Sequence, residues 1–324
     1  MNKIRKIVRS KLESYGSAQL ARLFGEGAVP LLWLEAYPHS RVDANLFLRE
    51  MIESGQPFCA ARLGNDEFEI LRQWHRAQHS GKIREILETL AVGDPWFSLV
   101  RSQHRIELAG LRPLTDEVKN RFSSLYSDAL QQVDMLGSWL RGENFLADYL
   151  VQPKSCPLFE LEPYRSRHPW SQALAHKRVL VIHPFEVSIR SQFLNKRTKI
   201  FDDPQVLPDF DLDTLKPPQA HFSEISDAES WFSLFQNLVS QVMQRDFDLA
   251  IIGAGPFGLP LAAEIKKMDK QAVHLGGATQ ILFGIMGRRW DSDYQVCELQ
   301  NENWVRPRAD EKPGRRATRR SPYW

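Results

Sequence analysis

Apolar and polar positions along this chain fall into two regimes. Up to Pro153 the apolar residues recur mostly at helical spacing. Asp43–Ser54 reads as a helix closed by Gly55. Ile83–Leu90 and Thr115–Met135 read as amphipathic helices, the second opened by Thr115 with Asp116 and Glu117 in its first turn, where acidic groups meet the positive end of the helix dipole. Ile4, Ile7, Val8, Leu12, Leu20 and Leu23 give the first 25 residues a helical stripe as well. One short apolar run interrupts this pattern. Pro57–Leu63 reads as a buried strand that ends at Gly64, with Asn65 capping a helix through Phe68, Ile70, Leu71 and Trp74. Asp134–Tyr149, rich in large apolar groups such as Trp139 and Phe145, is expected to cover one face of a sheet.

Beyond Pro153 strands and helices alternate. Val179–Ile182 is an all-apolar strand, followed by His183-Pro-Phe and a helix through Ser188, Gln192 and Phe193. Pro204–Pro218 reads as a proline-rich, acidic loop and Ser226–Arg245 as an amphipathic helix. Phe247–Trp290 then supplies a strand (Leu249–Ile252), a glycine-rich turn, a helix, a strand (Ala272–Leu275) and a second glycine-rich helix start. Strands alternating with helices predict an α/β fold: a mostly parallel, Rossmann-like sheet with helices on both faces and a helical N-terminal region. The expected division is a helical segment over 1–55, an α/β catalytic domain over 56–305 and a basic, disordered tail over 306–324, where Arg, Pro and Ser take over.

Composition narrows the class without naming it. The chain has 324 residues, 43% of them hydrophobic and 25% charged, as an ordinary globular protein does. The net charge of +2 hides a concentration of basic residues at both ends, from Lys3 to Lys11 and from Arg306 to Arg320. Such runs are either solvated ends or contacts to an anionic surface, a membrane face being the obvious one. Cys59, Cys156 and Cys297 lie far apart, which argues against a disulfide framework or a zinc site and fits a reducing compartment. With no apolar run near 18 residues and no apolar signal region, the expected location is cytoplasmic, with peripheral contact at the inner membrane face as the reading of the basic ends. Nucleic acid is not an expected partner.

Two glycine-rich loops and one charged cluster carry the candidate chemistry. Gly253-Ala-Gly255-Pro-Phe-Gly258 and Gly276-Gly277-Ala-Thr279-Gln280 each follow a strand and open a helix, where unpaired N–H groups and the helix dipole favour phosphate. Read as G-x-G-x-x-G, the first loop fits a dinucleotide fold, but no acid stands at the end of the next strand, about 20 residues on, to hold a ribose. Read structurally, the glycines allow close helix–strand packing. The cluster Ala61-Arg62-Leu-Gly64-Asn65-Asp66-Glu67-Phe-Glu69 gathers carboxylates and an amide at one strand-to-helix junction. It reads either as a site for a hard cation, which takes oxygen ligands, or as a capped helix with an acidic first turn. Arg62 is then paired with a carboxylate or aimed at a phosphate. His183 is a phosphate donor, a base or a structural histidine. Ser188 and Gln192 offer polar contacts on the same side, and Arg288 and Arg289 are either a phosphate clamp or a basic helix end.

Taken together, Arg62-Leu-Gly64-Asn65-Asp66-Glu67, Val181-Ile-His-Pro-Phe-Glu-Val-Ser-Ile189, Gly253 to Ala262 and Gly276-Gly-Ala-Thr-Gln-Ile-Leu-Phe-Gly284 resemble the bacterial glycosyltransferases of the GT-D fold, over roughly Pro57 to Trp290. The resemblance implies a Mn²⁺- or Mg²⁺-dependent transferase. Its donor would be a nucleotide-sugar, and its acceptor a glycan, a lipid-linked glycan or a protein in surface polysaccharide biosynthesis. It places catalysis on Glu67, Asp66 and Arg62, with Glu67 and Asp66 as metal ligands; Asn65 stands where the family's first acid falls. Donor contacts would come from Gly64, Asn65, His183, Ser188, Gly253, Gly255, Gly258, Gly276, Gly277, Thr279 and Gln280. A flavin- or NAD-binding oxidoreductase and a non-catalytic phosphoglycan-binding protein are the other two classes the residues leave open.

Overall fold

The computed structural model describes residues 42–79, 111, 114–140, 142–219, 228–311 and 323. The helices expected over the first 25 residues and over Ile83–Leu90 lie outside the described residues. Among the described residues seven strands form one sheet: β1 (Phe58–Ala61), β2 (Met135–Ser138), β3 (Lys154–Pro157), β4 (Arg178–Ile182), β5 (Asp211–Leu215), β6 (Leu249–Ile252) and β7 (Gln271–His274). Their order is β3-β2-β1-β7-β6-β4-β5, and every pairing is parallel. A parallel sheet is covered on both faces, so its central strands carry apolar runs with no alternation. β1, β2, β6 and β7 are buried at every position. Ile182 pairs with Ile252 and Ile252 with His274, which brings the carboxyl ends of β4, β6 and β7 into line.

Each face carries its own apolar layer. On one face pack α2 (Asn65–His79), α3 (Asp116–Leu130), α5 (Ala228–Met243) and α6 (Gly258–Lys267), through Phe68, Phe122, Trp231 and Leu261 among others. On the other pack α1 (Ala44–Ser54), α4 (Glu186–Ile200), the short α7 (Thr279–Leu282) and α8 (Tyr294–Leu299), through Leu48, Ile189, Ile281 and Val296. The chain therefore leaves β1 and β6 toward one face and β7 and β4 toward the other. Those four strands lie side by side in the order β1-β7-β6-β4, so successive loops part in opposite directions. Crevices of this kind, at the carboxyl ends of strands, are where open α/β sheets hold ligands.

Several elements depart from expectation. Asp134–Tyr149 does not cover the sheet as one block: it supplies β2, inside the sheet, and a 3₁₀ turn over Glu143–Asp148. The acidic loop expected over Pro204–Pro218 contains β5. Its Asp-Leu-Asp-Thr-Leu sequence suits an edge strand paired on one side only, with β4, where charged positions face solvent. Asn65 is not a cap but already the first residue of α2, because the Gly64 carbonyl accepts the Phe68 amide at 3.0 Å. Asp43 does cap α1, its Oδ1 accepting from the Asn45 and Leu46 amides at 2.9 and 3.1 Å. The stretch from Arg306 to Glu311 is docked rather than loose, with Glu311 buried.

Candidate functional site

The charged corner of the site is built by the turns after β1 and β2. Arg62 leaves the end of β1 as a half-buried side chain whose Nε is enclosed and has no hydrogen-bond partner. Its guanidinium carbon stands 4.8 Å from the Trp139 ring centre, a cation–π distance. Trp139 is held there by donating from Nε1 to the Leu63 carbonyl at 2.9 Å. Desolvation pulls the Arg62 pKa below its usual value, opposed by the charge of Glu67 and, further down, Glu143. Glu67 lies in the first turn of α2 and is buried at 9% exposure, turned back over Gly64. A Cβ on residue 64 would collide with the Glu67 carboxylate, so that glycine is what lets the carboxylate fold inward. Glu143 closes the corner. Ser138 Oγ and the Trp139 amide donate to its Oε2, the latter at 3.2 Å, yet burial still raises its carboxyl to about 7.

Beside this corner the two glycine-rich loops meet. At Gly253 a Cβ would strike the His183 ring and lie 2.7 Å from the Gly276 carbonyl oxygen and 3.0 Å from Thr279 Oγ1. Both loops and the end of β4 thus converge on one residue that can carry no side chain. Gly276, at φ +62°, has a conformation that L side chains rarely adopt, and a Cβ there would lie 3.3 Å from Arg62 Nη1. Arg62 and Glu67 therefore share one sheet edge with Gly253, Gly276 and Thr279. Gly255 (φ +54°) shapes the first turn, whose Pro256 carbonyl accepts from Tyr126 Oη at 2.6 Å. Gly258 does what the packing reading requires, since a Cβ there would run into the His274 ring. Two further polar atoms are buried here without a hydrogen-bond partner, Thr279 Oγ1 and Gln280 Oε1.

His183, at the end of β4, is 3% exposed, and burial lowers its pKa to about 3. Its Nδ1 accepts the Phe185 amide at 3.0 Å, which leaves the proton on Nε2. It is neutral near pH 7 with its proton on Nε2, so of the three readings of this histidine the base is the one this geometry does not fit. His274 is held in the opposite tautomer, Nδ1 donating to the Ile252 carbonyl at 3.1 Å, and burial lowers it to about 3 as well. It stands where a dinucleotide fold would have its acid. Ser188 is given over to Glu311: its hydroxyl bonds the carboxylate, whose Oε1 also accepts from the Val187 and Ser188 amides at 2.9 and 3.1 Å. The groups at the start of α4 expected to meet a donor already hold an internal anion. Gln192 instead donates to the Asn303 carbonyl at 2.9 Å. Asn65 is exposed, and Asp66 sits one position from Glu67, off its helix face. Arg288 and Arg289 are exposed, with Arg289 near enough to Arg62 to oppose its charge.

The sequence patterns gave no sign of Tyr126, Glu143, Glu311 or Tyr323 as site residues. Glu143 takes its meaning from β2 lying next to β1, and Glu311 and Tyr323 reach the site from far along the chain. Tyr323 rests on Gly277 and against Trp290, ring centres 6.1 Å apart. Among the described residues no three His, Cys, Asp or Glu side chains are grouped to hold a metal ion. A broad surface cleft lies elsewhere, at the amino end of α1, among Asp43, Asn45, Phe159, Glu162 and Arg165. Its charged groups are spoken for: Asp43 caps α1, and Arg165 pairs with Glu162 and with Asp293 at 2.8 Å. The convergent, partly unpartnered groups are at the carboxyl edge of the sheet. Compared with known protein families, curated proteins and solved structures, the chain matches none.

Proposed function

We propose that the cleft above β1, β7, β6 and β4 binds the diphosphate of a nucleotide-sugar and that the protein transfers the sugar to an acceptor hydroxyl. The observation that carries this reading is Arg62. A guanidinium with an enclosed, unpartnered Nε lies beside Gly276, in the loop that also carries the unpartnered Thr279 Oγ1. Buried polar atoms are normally satisfied, and one that is not points to a missing partner. A diphosphate suits this setting because it offers several acceptor oxygens to a guanidinium, a hydroxyl and backbone amides at once.

In the reaction the bond between the anomeric carbon and the diphosphate oxygen breaks, and a bond to the acceptor oxygen forms. The electron pair goes to the diphosphate, where Arg62 and the Nε2 proton of His183 stabilise it. The acceptor hydroxyl gives its proton to a carboxylate. Glu67 and Glu143 flank Arg62, and Glu143, at about 7, is poised to exchange a proton near neutrality. Glu67 turned toward Arg62 and Asp66 placed off its face do not form a ligand set for Mn²⁺ or Mg²⁺, and Arg62 supplies the positive charge. The acceptor is a glycan, free, lipid-linked or on protein, and basic residues near both ends of the sequence would favour an anionic membrane surface. A thermal-shift panel of nucleoside diphosphates and their sugars, with and without Mn²⁺, tests the reading. A diphosphate raises the melting temperature by mass action, and a panel with no response in either condition contradicts it.

A further inference from the structure

Tyr323 is seated on the site rather than beside it. Gly277 and Gly287 leave the room: a Cβ on Gly277 would run into the Tyr323 ring, and one on Gly287 would lie 2.5 Å from its carbonyl oxygen and 2.8 Å from the carbonyl carbon. Gln280 Nε2, which donates to the Ile285 carbonyl at 2.9 Å, also reaches the Tyr323 carbonyl at 3.4 Å. On its other side the ring leans on Trp290, buried at 5% exposure, with ring planes 50° apart. The phenol group lies within electrostatic reach of Arg62. A slot floored by glycine backbone, walled by an indole and ending at a guanidinium accepts a flat ring that carries a polar group. A nucleobase joined to a diphosphate has that shape and polarity.

The same stretch of chain supplies a second occupant. Glu311 places a carboxylate on the first amides of α4, the kind of position a phosphate takes at a helix N-terminus, and the Arg308 amide donates to Ser188 Oγ at 3.2 Å. We propose that the slot between Gly277, Gly287 and Trp290 is the nucleobase subsite of the donor, and that Tyr323 fills it in cis and competes with the nucleotide. This rests on the nucleotide reading of the cleft. Binding then requires Tyr323 to leave, and the apparent affinity is reduced by the fraction of molecules in which it is seated.

The test is calorimetric titration of the full chain and its Tyr323→Ala variant with UDP, ADP, GDP and CDP, together with amide hydrogen exchange over Gly276–Gly287. The expected result is a dissociation constant about tenfold lower in the variant for at least one diphosphate, as when about nine molecules in ten are occluded, with faster exchange at Gly277 and Gly287. Equal affinities in the two proteins leave the donor reading standing and overturn the competition. Weaker binding by the variant overturns it too, by making Tyr323 part of the binding surface. If neither protein binds any of the four diphosphates while exchange still rises in the variant, the donor reading falls and takes the nucleobase assignment with it. Unchanged exchange shows that Tyr323 does not hold the slot in solution, which overturns the proposal on its own.

Discussion

At Glu143 burial outweighs the hydrogen bonds from Ser138, Leu140 and Trp139 that favour the charged form, and the carboxyl rises from 4.5 to about 7. The folded protein holds that proton more tightly than the unfolded chain does. Its contribution is complete below pH 4.5 and is lost as pH rises through about 7. His183 and His274 act with the opposite sign: lowered to about 3, they contribute fully above 6.5 and lose that contribution as pH falls. Glu143→Gln removes the first effect and leaves the second. Denaturant titrations at pH 5 and pH 8 should show the variant gaining roughly 2–3 kcal/mol on the wild type between the two, from about 1.4 kcal/mol per pKa unit; parallel behaviour contradicts a buried neutral carboxyl. Glu67 is tested with Gly64. Glu67→Gln should lower turnover by about two orders of magnitude if the carboxylate works in the transition state. Gly64→Ala, which evicts the same carboxylate without touching it chemically, should reproduce that loss. A fully active Gly64→Ala protein would show that the inward position of Glu67 has no part in turnover.

Among the elements, β6 and the loop after it were legible in the sequence, because Leu249–Ile252 is purely apolar and bounded by Asp248 and Gly253. The parallel α/β architecture followed from the alternation of strands and helices. β5 was not legible, since an edge strand needs only one partner and tolerates Asp211 and Asp213. β2 was hidden because its four residues run straight into Trp139 and Leu140, so its short apolar run merged with its neighbours. The glycine loops were legible in two ways, as an anion site and as close packing, and the structure shows the packing: Gly258 seats His274, while Gly253 lets His183, Gly276 and Thr279 converge. Gly253→Ala must therefore separate a ring from a backbone carbonyl. We expect about 1–3 kcal/mol lower stability by denaturant titration, the range for overpacking a well-packed site, and loss of the diphosphate-dependent rise in melting temperature. An alanine variant that keeps both would show that the loops do not meet at this residue.

For the molecule as a whole, seven parallel strands with an apolar layer on each face explain why Arg62, Glu67, Glu143, His183 and the two glycine loops share one edge although they span more than two hundred residues of sequence. Neither Tyr323 nor Glu311 could be placed from sequence, because no local pattern marks a residue that returns to a site built by distant strands. The proposed function has this edge bind a nucleoside diphosphate through Arg62. Its most direct test is calorimetric titration of the wild type and Arg62→Ala with the nucleoside diphosphate that gives the largest rise in melting temperature. A lost charged hydrogen bond of about 1.5–3 kcal/mol corresponds to roughly 10- to 150-fold weaker binding, and that is the expected result. Arg62→Ala binding the diphosphate as tightly as the wild type would contradict a role for this edge in holding it.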